Sequence, residues 1–336
     1  MIAPTAPTHS VGTGAGLVAF HDEGEGPPVL LLHGFPASSW QWRDFLPLLA
    51  ARFRVIAPDL PGAGASRPAD GVTLDLATLA GAMRELLDSL GVQRFAVVAH
   101  GEGAGVAQVL AIEGDGVDAL VLLNAATLDA WPSPGIRLAG DRLAADGATP
   151  ALARSLVRGA FEAGAVRRER LTDDVLDAYA EPYVSGDGPE RLARVVAGLD
   201  GRGLAGRDAD LGAVAAPTLI LWGEDDSVYP PAVGERLNDA MPSSTLGLLP
   251  GCGHYLVEEA ADTLGPMISE YLRARYAHAP HGHADPNAGI VMLQLERRPP
   301  WVDLEEYERD EWFEPADDDE GGAATATDEH EEGSAP

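Results

Sequence analysis

A chain of 336 residues can bury a large core; it exceeds one typical domain and falls short of two, so one large domain with an insertion and a tail is expected. Its formal net charge is -30, with 53 acidic residues against 23 basic ones, all of them arginine, and that balance argues against nucleic acid or an anionic membrane surface as partner, because both repel an acidic protein. Hydrophobic content is 46%, no apolar run approaches the roughly 18 residues a membrane span needs, the first 16 residues carry no signal-peptide pattern, and the single Cys252 excludes an internal disulfide or a cysteine-rich metal site; the expectation is a soluble protein with cytoplasmic residence.

Residues 1–15 are rich in Pro, Thr and Gly and read as a flexible arm. A short strand is expected over residues 16–21, then a continuous apolar run, Pro28-Val29-Leu30-Leu31-Leu32, of the kind found in strands covered on both faces. His33-Gly34-Phe35-Pro36 makes a turn, and a helix pattern follows over residues 39–49. A second buried run at residues 54–58 closes in Asp59-Leu60-Pro61-Gly62-Ala63-Gly64, and leucines recur at helical spacing over residues 74–90. Residues 95–108, FAVVAHGEGAGVAQ, read as a buried strand, a glycine turn and the start of a helix, and another strand is expected over 119–124. Alternation of this kind predicts an α/β fold with a mostly parallel sheet wrapped by helices.

The alternation then breaks. Residues 126–215 contain helix-like stretches, such as 151–164 and 172–179, without a buried strand, and predict a helical cap inserted into the core formed by 16–125 and 216–276. The core resumes with a strand over 217–222, a helix over 231–240, a strand over 245–249 and a closing helix over 258–276. Residues 277–336 form an acidic C-terminal extension; from Ala284 onward seventeen acidic residues face three arginines, and disorder is expected from about residue 315 because such composition cannot repay the entropy of ordering.

Three turns at strand ends line up in chain order. They are His100-Gly101-Glu102, Gly223-Glu224-Asp225-Asp226, and Gly251-Cys252-Gly253-His254, and in open parallel sheets ligands bind at the carboxyl ends of strands. Nucleophile, acid and histidine in that order is the order of the α/β-hydrolases. With HGFP at 33–36, DLPGAGAS at 59–66 and AHGEGA at 99–104, residues 16–276 resemble the α/β-hydrolase fold, and within it the epoxide hydrolase, haloalkane dehalogenase and haloacetate dehalogenase branch. That branch carries Asp at the nucleophile position and the esterases carry Ser; here the position holds Gly101.

The resemblance implies His254 as the base, Asp226 as its orienting carboxylate in preference to Glu224 or Asp225, and the backbone N–H groups of Phe35 and Glu102 as oxyanion-hole donors. Three readings of Gly101 stand beside one another: catalysis is lost and the pocket binds a ligand or partner; His254 activates a water in the space left by the side chain; or Glu102 substitutes. In the dehalogenases that this chain resembles, a tryptophan commonly follows the nucleophile. Glu102 at that position either titrates in a partly apolar pocket, as an acid or base, or pairs with an arginine.

Weaker candidates complete the set. Asn124 at a strand end, Trp40, and Tyr179 and Tyr183 in the cap are expected as substrate-binding residues, each with a plain packing or turn role as the alternative. Trp42 reads as core, Cys252 as a small buried apolar residue, and His278, His281 and His283 as a solvated linker. No metal or cofactor is implied, and no GxGxxG turn is present. The expected function is hydrolysis of a small organic substrate of epoxide, haloalkane or ester type, by water that His254 activates; the alternative is an inactive homologue that binds a ligand or partner. Oligomeric state is not encoded in any motif.

Overall fold

The apolar runs become adjacent strands of one twisted sheet in the computed structural model, which describes residues 6–277 apart from 115 and 201. In chain order the core comprises β1 (His9–Thr13), β2 (Gly16–Glu23), β3 (Pro28–Leu32), α1 (Leu46–Ala50), β4 (Arg54–Pro58), the two-residue β5 (Arg67–Pro68), α2 (Leu76–Ser89), β6 (Phe95–His100), α3 (Gly101–Glu113) and β7 (Val117–Leu123). A helical insert follows: α4 (Pro134–Asp146), α5 (Pro150–Gly164), α6 (Asp173–Val184), α7 (Gly188–Gly198) and α8 (Asp208–Leu211). The core then closes with β8 (Thr218–Gly223), α9 (Pro231–Ala240), β9 (Ser244–Leu249), α10 (Leu256–Glu259) and α11 (Ala261–Ala277).

Strand order is β1-β2-β4-β3-β6-β7-β8-β9, with β5 on β2. From β4 through β9 neighbours are parallel, and β2 pairs antiparallel with both β1 and β4. Burial explains the unbroken apolar runs. Val29, Leu31, Val98 and Val121 face one core layer with α1 and α11, while Leu30, Leu32, Val97 and Leu122 face the other with α2 and α3, so neither strand face has a polar position to alternate with. The chain goes from β3 to β4 on one side and returns to β6 on the other, which makes the β3/β6 boundary the point where strand order reverses and a crevice opens.

Local chemistry sets the helix boundaries. Asp75 caps α2 by accepting the Thr78 N–H at 2.9 Å, Thr149 caps α5 by accepting from Leu152 at 3.2 Å, and each cap satisfies one of the donors a helix start leaves free. Phe161, Tyr179, Tyr183, Leu192 and Val195 of the insert merge with the core layer on the α2–α3 side.

Several expectations need correction. Residues 9–13 of the supposed arm form β1, paired His9 to Phe20 through Thr13 to Gly16; a two-residue Gly14-Ala15 hairpin turn hid a strand inside Thr/Gly-rich composition. The helix expected over 39–49 is a 3-10 turn, Ser39–Trp42, followed by α1. The closing helix is broken into α10 and α11 at Ala260, whose backbone leaves the helical region (φ -139, ψ 30), and Glu258 and Glu259 just before it are buried. The acidic extension beyond residue 277, with His278, His281 and His283, and residues 1–5 lie outside the described residues.

Candidate active site

The β6–α3 turn sets the floor of the site. His100 is extended, and Gly101 enters α3 with φ +54, the left-handed backbone that a strand-to-helix elbow imposes and that glycine adopts without strain. A Cβ built on Gly101 would stand 3.5 Å from Gly34 Cα and 3.7 Å from His254 Nε2. The position is therefore roomy, and its side-chain direction aims at the imidazole. Gly103 is different in kind: a Cβ there would meet the carbonyls of His33 and Leu32 at 2.5 and 2.6 Å, so α3 packs against β3 only with glycine.

At the ends of β8 and β9 the structure brings Asp226 and His254 together. Asp226 Oδ2 lies 3.0 Å from His254 Nδ1; its Oδ1 accepts the N–H groups of Val228 and Tyr229 at 2.7 and 3.0 Å. Burial raises the Asp226 pKa, but the charge and hydrogen bond of His254, with the hydrogen bonds of Asn124 and Tyr229, outweigh it and the net shift is downward. The His254 ring sits among the rings of His100, Tyr229 and Tyr255, with centroids 5.0 to 5.4 Å away. With Nδ1 committed to a carboxylate, Nε2 is the nitrogen that faces Gly101.

The histidine loop is held by a residue that the sequence did not single out. Glu259 accepts four backbone N–H groups: those of Gly253, Val166 and Arg167, each at 2.9 Å, and that of Tyr255 at 3.1 Å. The His254 N–H donates to Gly164 O at 2.8 Å. One carboxylate thus stitches the loop that carries His254 to the α5–α6 connection of the insert. In the sequence Glu258-Glu259 reads as an ordinary acidic helix face, and no local pattern distinguishes it from one.

Glu102 follows Gly101 and is 5% exposed. Among the described residues no arginine or other partner reaches its carboxyl, and burial alone pushes its pKa up to about 8. Its charge acts on the hydroxyls of Tyr183 and Tyr229, which locates it between α6 and the loop after β8. The N–H groups of Phe35, in the turn after β3, and of Glu102, in the first turn of α3, take part in no hydrogen bond among the described residues. Free backbone donors, one of them in the first turn of a helix, suit an oxygen that gains negative charge.

Several candidates are placed differently from expectation. Asn124 (φ +41, fully buried) donates its amide to Asp226 Oδ2 at 2.6 Å and to Gly253 O at 3.3 Å; it supports the carboxylate rather than facing a substrate. The Tyr179 hydroxyl donates to Glu258 Oε1 and receives Arg43 at 3.3 Å, inside a bidentate Arg43–Glu258 pair at 2.6 and 2.7 Å. The Tyr179 hydroxyl is thus engaged with Arg43 and Glu258. Tyr183 is 1% exposed and donates only a long hydrogen bond, 3.4 Å, to Ala37 O. Trp40 packs edge-on to Tyr179 under the Arg43 guanidinium, Trp42 is core against Phe45, and Cys252 is buried with its thiol pushed up to about 11.

The remaining motif residues brace the turns. His33 donates from Nδ1 to Gly34 O and accepts the Leu60 N–H at Nε2, both at 2.9 Å. Asp59 accepts from Ser39 and Ala65 at 2.7 Å. Burial, and then the neighbouring His254, push the His100 pKa down to about 3, so His100 is neutral and donates from Nε2 to His254 O at 2.9 Å. Among the described residues no helix is long and apolar enough to cross a membrane, and no group of three His, Cys, Asp or Glu is arranged to hold a metal.

Known proteins resemble this chain in sequence and fold. The family described as alpha/beta hydrolase fold matches residues 27–261. The chain is 29% identical over 267 residues to haloalkane dehalogenase 2 of Mycobacterium bovis, covering 76% of this chain and 91% of that one. It is 33% identical over 264 residues to the magnesium-chelatase 30 kDa subunit of Rhodobacter capsulatus, covering 74% and 87%. Among solved structures, an alpha/beta hydrolase fold protein from Burkholderia ambifaria superposes with a TM-score of 0.71 at 29% identity, covering 79% of this chain and 97% of that one. The family match spans more than half of the chain, and the mostly parallel sheet flanked by helices is of the same class: the chain belongs to the alpha/beta hydrolase fold family.

Proposed function

We propose that the protein is a hydrolase of a small organic substrate of ester, epoxide or haloalkane type that works without a covalent enzyme intermediate. The observation that carries this reading is the direction of the vacant position: a Cβ on Gly101 would lie 3.7 Å from His254 Nε2, so a water in that space stands where the family's nucleophile would. His254 Nε2 takes a proton from this water, Asp226 stabilises the imidazolium that forms, and the water oxygen attacks the substrate carbon. The N–H groups of Phe35 and Glu102 receive the oxygen that becomes negative. Glu102, with its pKa near 8, holds a proton at neutral pH and donates it to a leaving oxygen of an ester or epoxide. The substrate lies beneath the insert, which acts as a cap, and a dehalogenase among the relatives supports this substrate range.

The test is a single turnover in ¹⁸O-labelled water on an ester, epoxide and haloalkane panel. Direct attack incorporates the label in the first turnover without a trappable adduct, and His254→Ala lowers the rate about 1,000-fold. Turnover that is indifferent to His254, or a product unlabelled in the first turnover, would refute the mechanism.

A second reading has one specific observation in its favour. Glycine at φ +54 relieves the backbone strain that a catalytic residue bears at an elbow, as expected of a homologue that keeps the pocket for ligand or partner binding. The resemblance to a magnesium-chelatase subunit fits that reading. A folded protein inactive across the panel, yet stabilised by a small molecule through contacts that Glu102→Gln weakens, decides for it.

A further inference from the structure

Elbow and base stand on separate elements, and one side chain spans them. His100, the residue just before Gly101, ends β6 with extended backbone, φ -120 and ψ 141, and its ring turns toward the histidine loop. Nε2 donates to the His254 main-chain carbonyl at 2.9 Å, and the two imidazoles lie 5.0 Å apart at 50°. Among the described residues no backbone N–H donates to that carbonyl. The other polar anchors of the loop come from elsewhere: Asp226 holds the ring, Glu259 the N–H groups of Gly253 and Tyr255, and Gly164 O the N–H of His254. None of these belongs to β6 or to the elbow.

The opposite edge of the His100 ring lies against the turn after β3. A Cβ on Gly34 would stand 2.6 Å from His100 Nδ1 and 3.1 Å from the His100 carbonyl oxygen, so the ring fills the space a side chain at 34 would need. Nδ1 is sealed from water without a hydrogen-bond partner among the described residues. A buried acceptor left unpaired costs stability, and a phenylalanine would fill the same space without that cost. What the histidine adds is the Nε2 donor, and the proton sits there because a carbonyl only accepts.

We propose that His100 is a positioning residue that sets the gap between the elbow and the base. Rooted next to Gly101, it holds the His254 carbonyl on one side and abuts Gly34 on the other. The Gly101 side-chain direction thereby keeps its 3.5 Å separation from Gly34 Cα and its 3.7 Å separation from His254 Nε2. Without the Nε2 donor, no hydrogen bond among the described residues ties the histidine loop to β6. A displacement of about 1 Å between reacting groups costs on the order of 100-fold in rate, so a bond that fixes this gap acts on the chemistry through His254. The inference rests on the reading of His254 as the base.

A thiol at the elbow reports the gap without turnover. In the full chain carrying Gly101→Cys, the thiol stands beside His254 Nε2, and an aligned imidazole lowers its pKa well below the ordinary value of about 8.5. Alkylation by iodoacetamide is followed against pH by peptide mass spectrometry, which separates this thiol from the buried Cys252. The other titratable groups around the pair, Asp226, Tyr229, Tyr255 and Glu102, stay the same in every variant. Adding His100→Phe keeps the ring and removes the donor; the rate near pH 6 is expected to fall about tenfold, a rise of about one unit in the apparent thiol pKa. His100→Gln, whose amide nitrogen reaches about as far as Nε2, is expected to restore most of the rate. Leu272→Ala in the opposite core layer lowers stability and leaves the profile unchanged. An unchanged profile in folded His100→Phe overturns the inference, and so does an equal shift in Leu272→Ala, which makes general loosening the cause. Should His100→Phe fail to fold, Gly34→Ala takes its place, since its methyl group displaces the ring; no shift there overturns the inference as well. A Gly101→Cys thiol of ordinary reactivity removes His254 as the base, whereas a perturbed thiol indifferent to His100 removes only the present inference, so the two failures are distinguishable.

Discussion

The two halves of the site differ in how tightly they are specified. At the ends of β8 and β9, Asp226 accepts from two backbone N–H groups, Asn124 and His254, and Glu259 gathers four more backbone donors to fix the loop around His254. At the ends of β3 and β6 a glycine occupies the elbow, two N–H groups are unbonded, and a buried carboxyl has no partner among the described residues. A polar group left unpaired in the interior costs stability. The contrast teaches that the side of Asp226 and His254 holds itself in place through paired polar groups, whereas the side around Gly101 leaves two backbone donors and a buried carboxyl unpaired among the described residues.

The most damaging change to this contrast is expected from Glu259→Gln. The amide offers one acceptor oxygen where the carboxylate has two, and it puts an NH₂ group against backbone donors; a loss of about 2 kcal/mol is expected, read from denaturant midpoints. Its effect on chemistry distinguishes positioning from mere packing: kcat falls with KM unchanged, because His254 is misaligned rather than the pocket reshaped. An unaltered kcat in a measurably destabilised variant removes Glu259 from the alignment of His254.

Glu102→Gln tests the opposite half through pH. Folded, the carboxyl keeps its proton up to about pH 8, against the ordinary 4.5 that the unfolded chain retains. Between those values the folded state binds more protons, so wild-type stability is greatest below the lower pKa. It declines as pH rises toward the upper one, by up to about 1.4 kcal/mol per pH unit. The glutamine variant lacks that slope, and parallel stability profiles for the two proteins would mean that the carboxyl is ionised and solvated.

The smallest effect on stability, about 1 kcal/mol, is expected from Gly101→Ser, since φ +54 is uncomfortable for any residue with a Cβ while the space is open. Its diagnostic value is larger. A serine there stands beside His254 Nε2 and is expected to form an adduct with a fluorophosphonate probe, seen by intact mass. A folded Gly101→Ser protein that stays unlabelled places the fault in the half that looks best built.

Much of the frame was legible because it depends on local rules. Continuous apolar runs such as 28–32 mark doubly covered strands, glycine punctuation at 101–103 marks a tight turn, and the chain order of Gly101, Asp226 and His254 gives the sequence of strand ends. Glu102 attracted attention because a charged residue follows the nucleophile position. The hydrogen-bond partners of Asn124 and Tyr179 were not legible because they lie 79 or more positions away, and no local pattern encodes such a partner.

The sequence by itself determined the α/β alternation, the interruption by helices and the glycine at the elbow, since each follows from periodicity or residue identity within a few positions. Only the tertiary structure decided that Glu259 would clamp the histidine loop, that Glu102 would be buried with no arginine against it among the described residues, and that the Tyr179 hydroxyl would join the Arg43–Glu258 pair. Those outcomes depend on which distant groups share a small volume, and burial and pairing there are properties of the packed chain rather than of any segment.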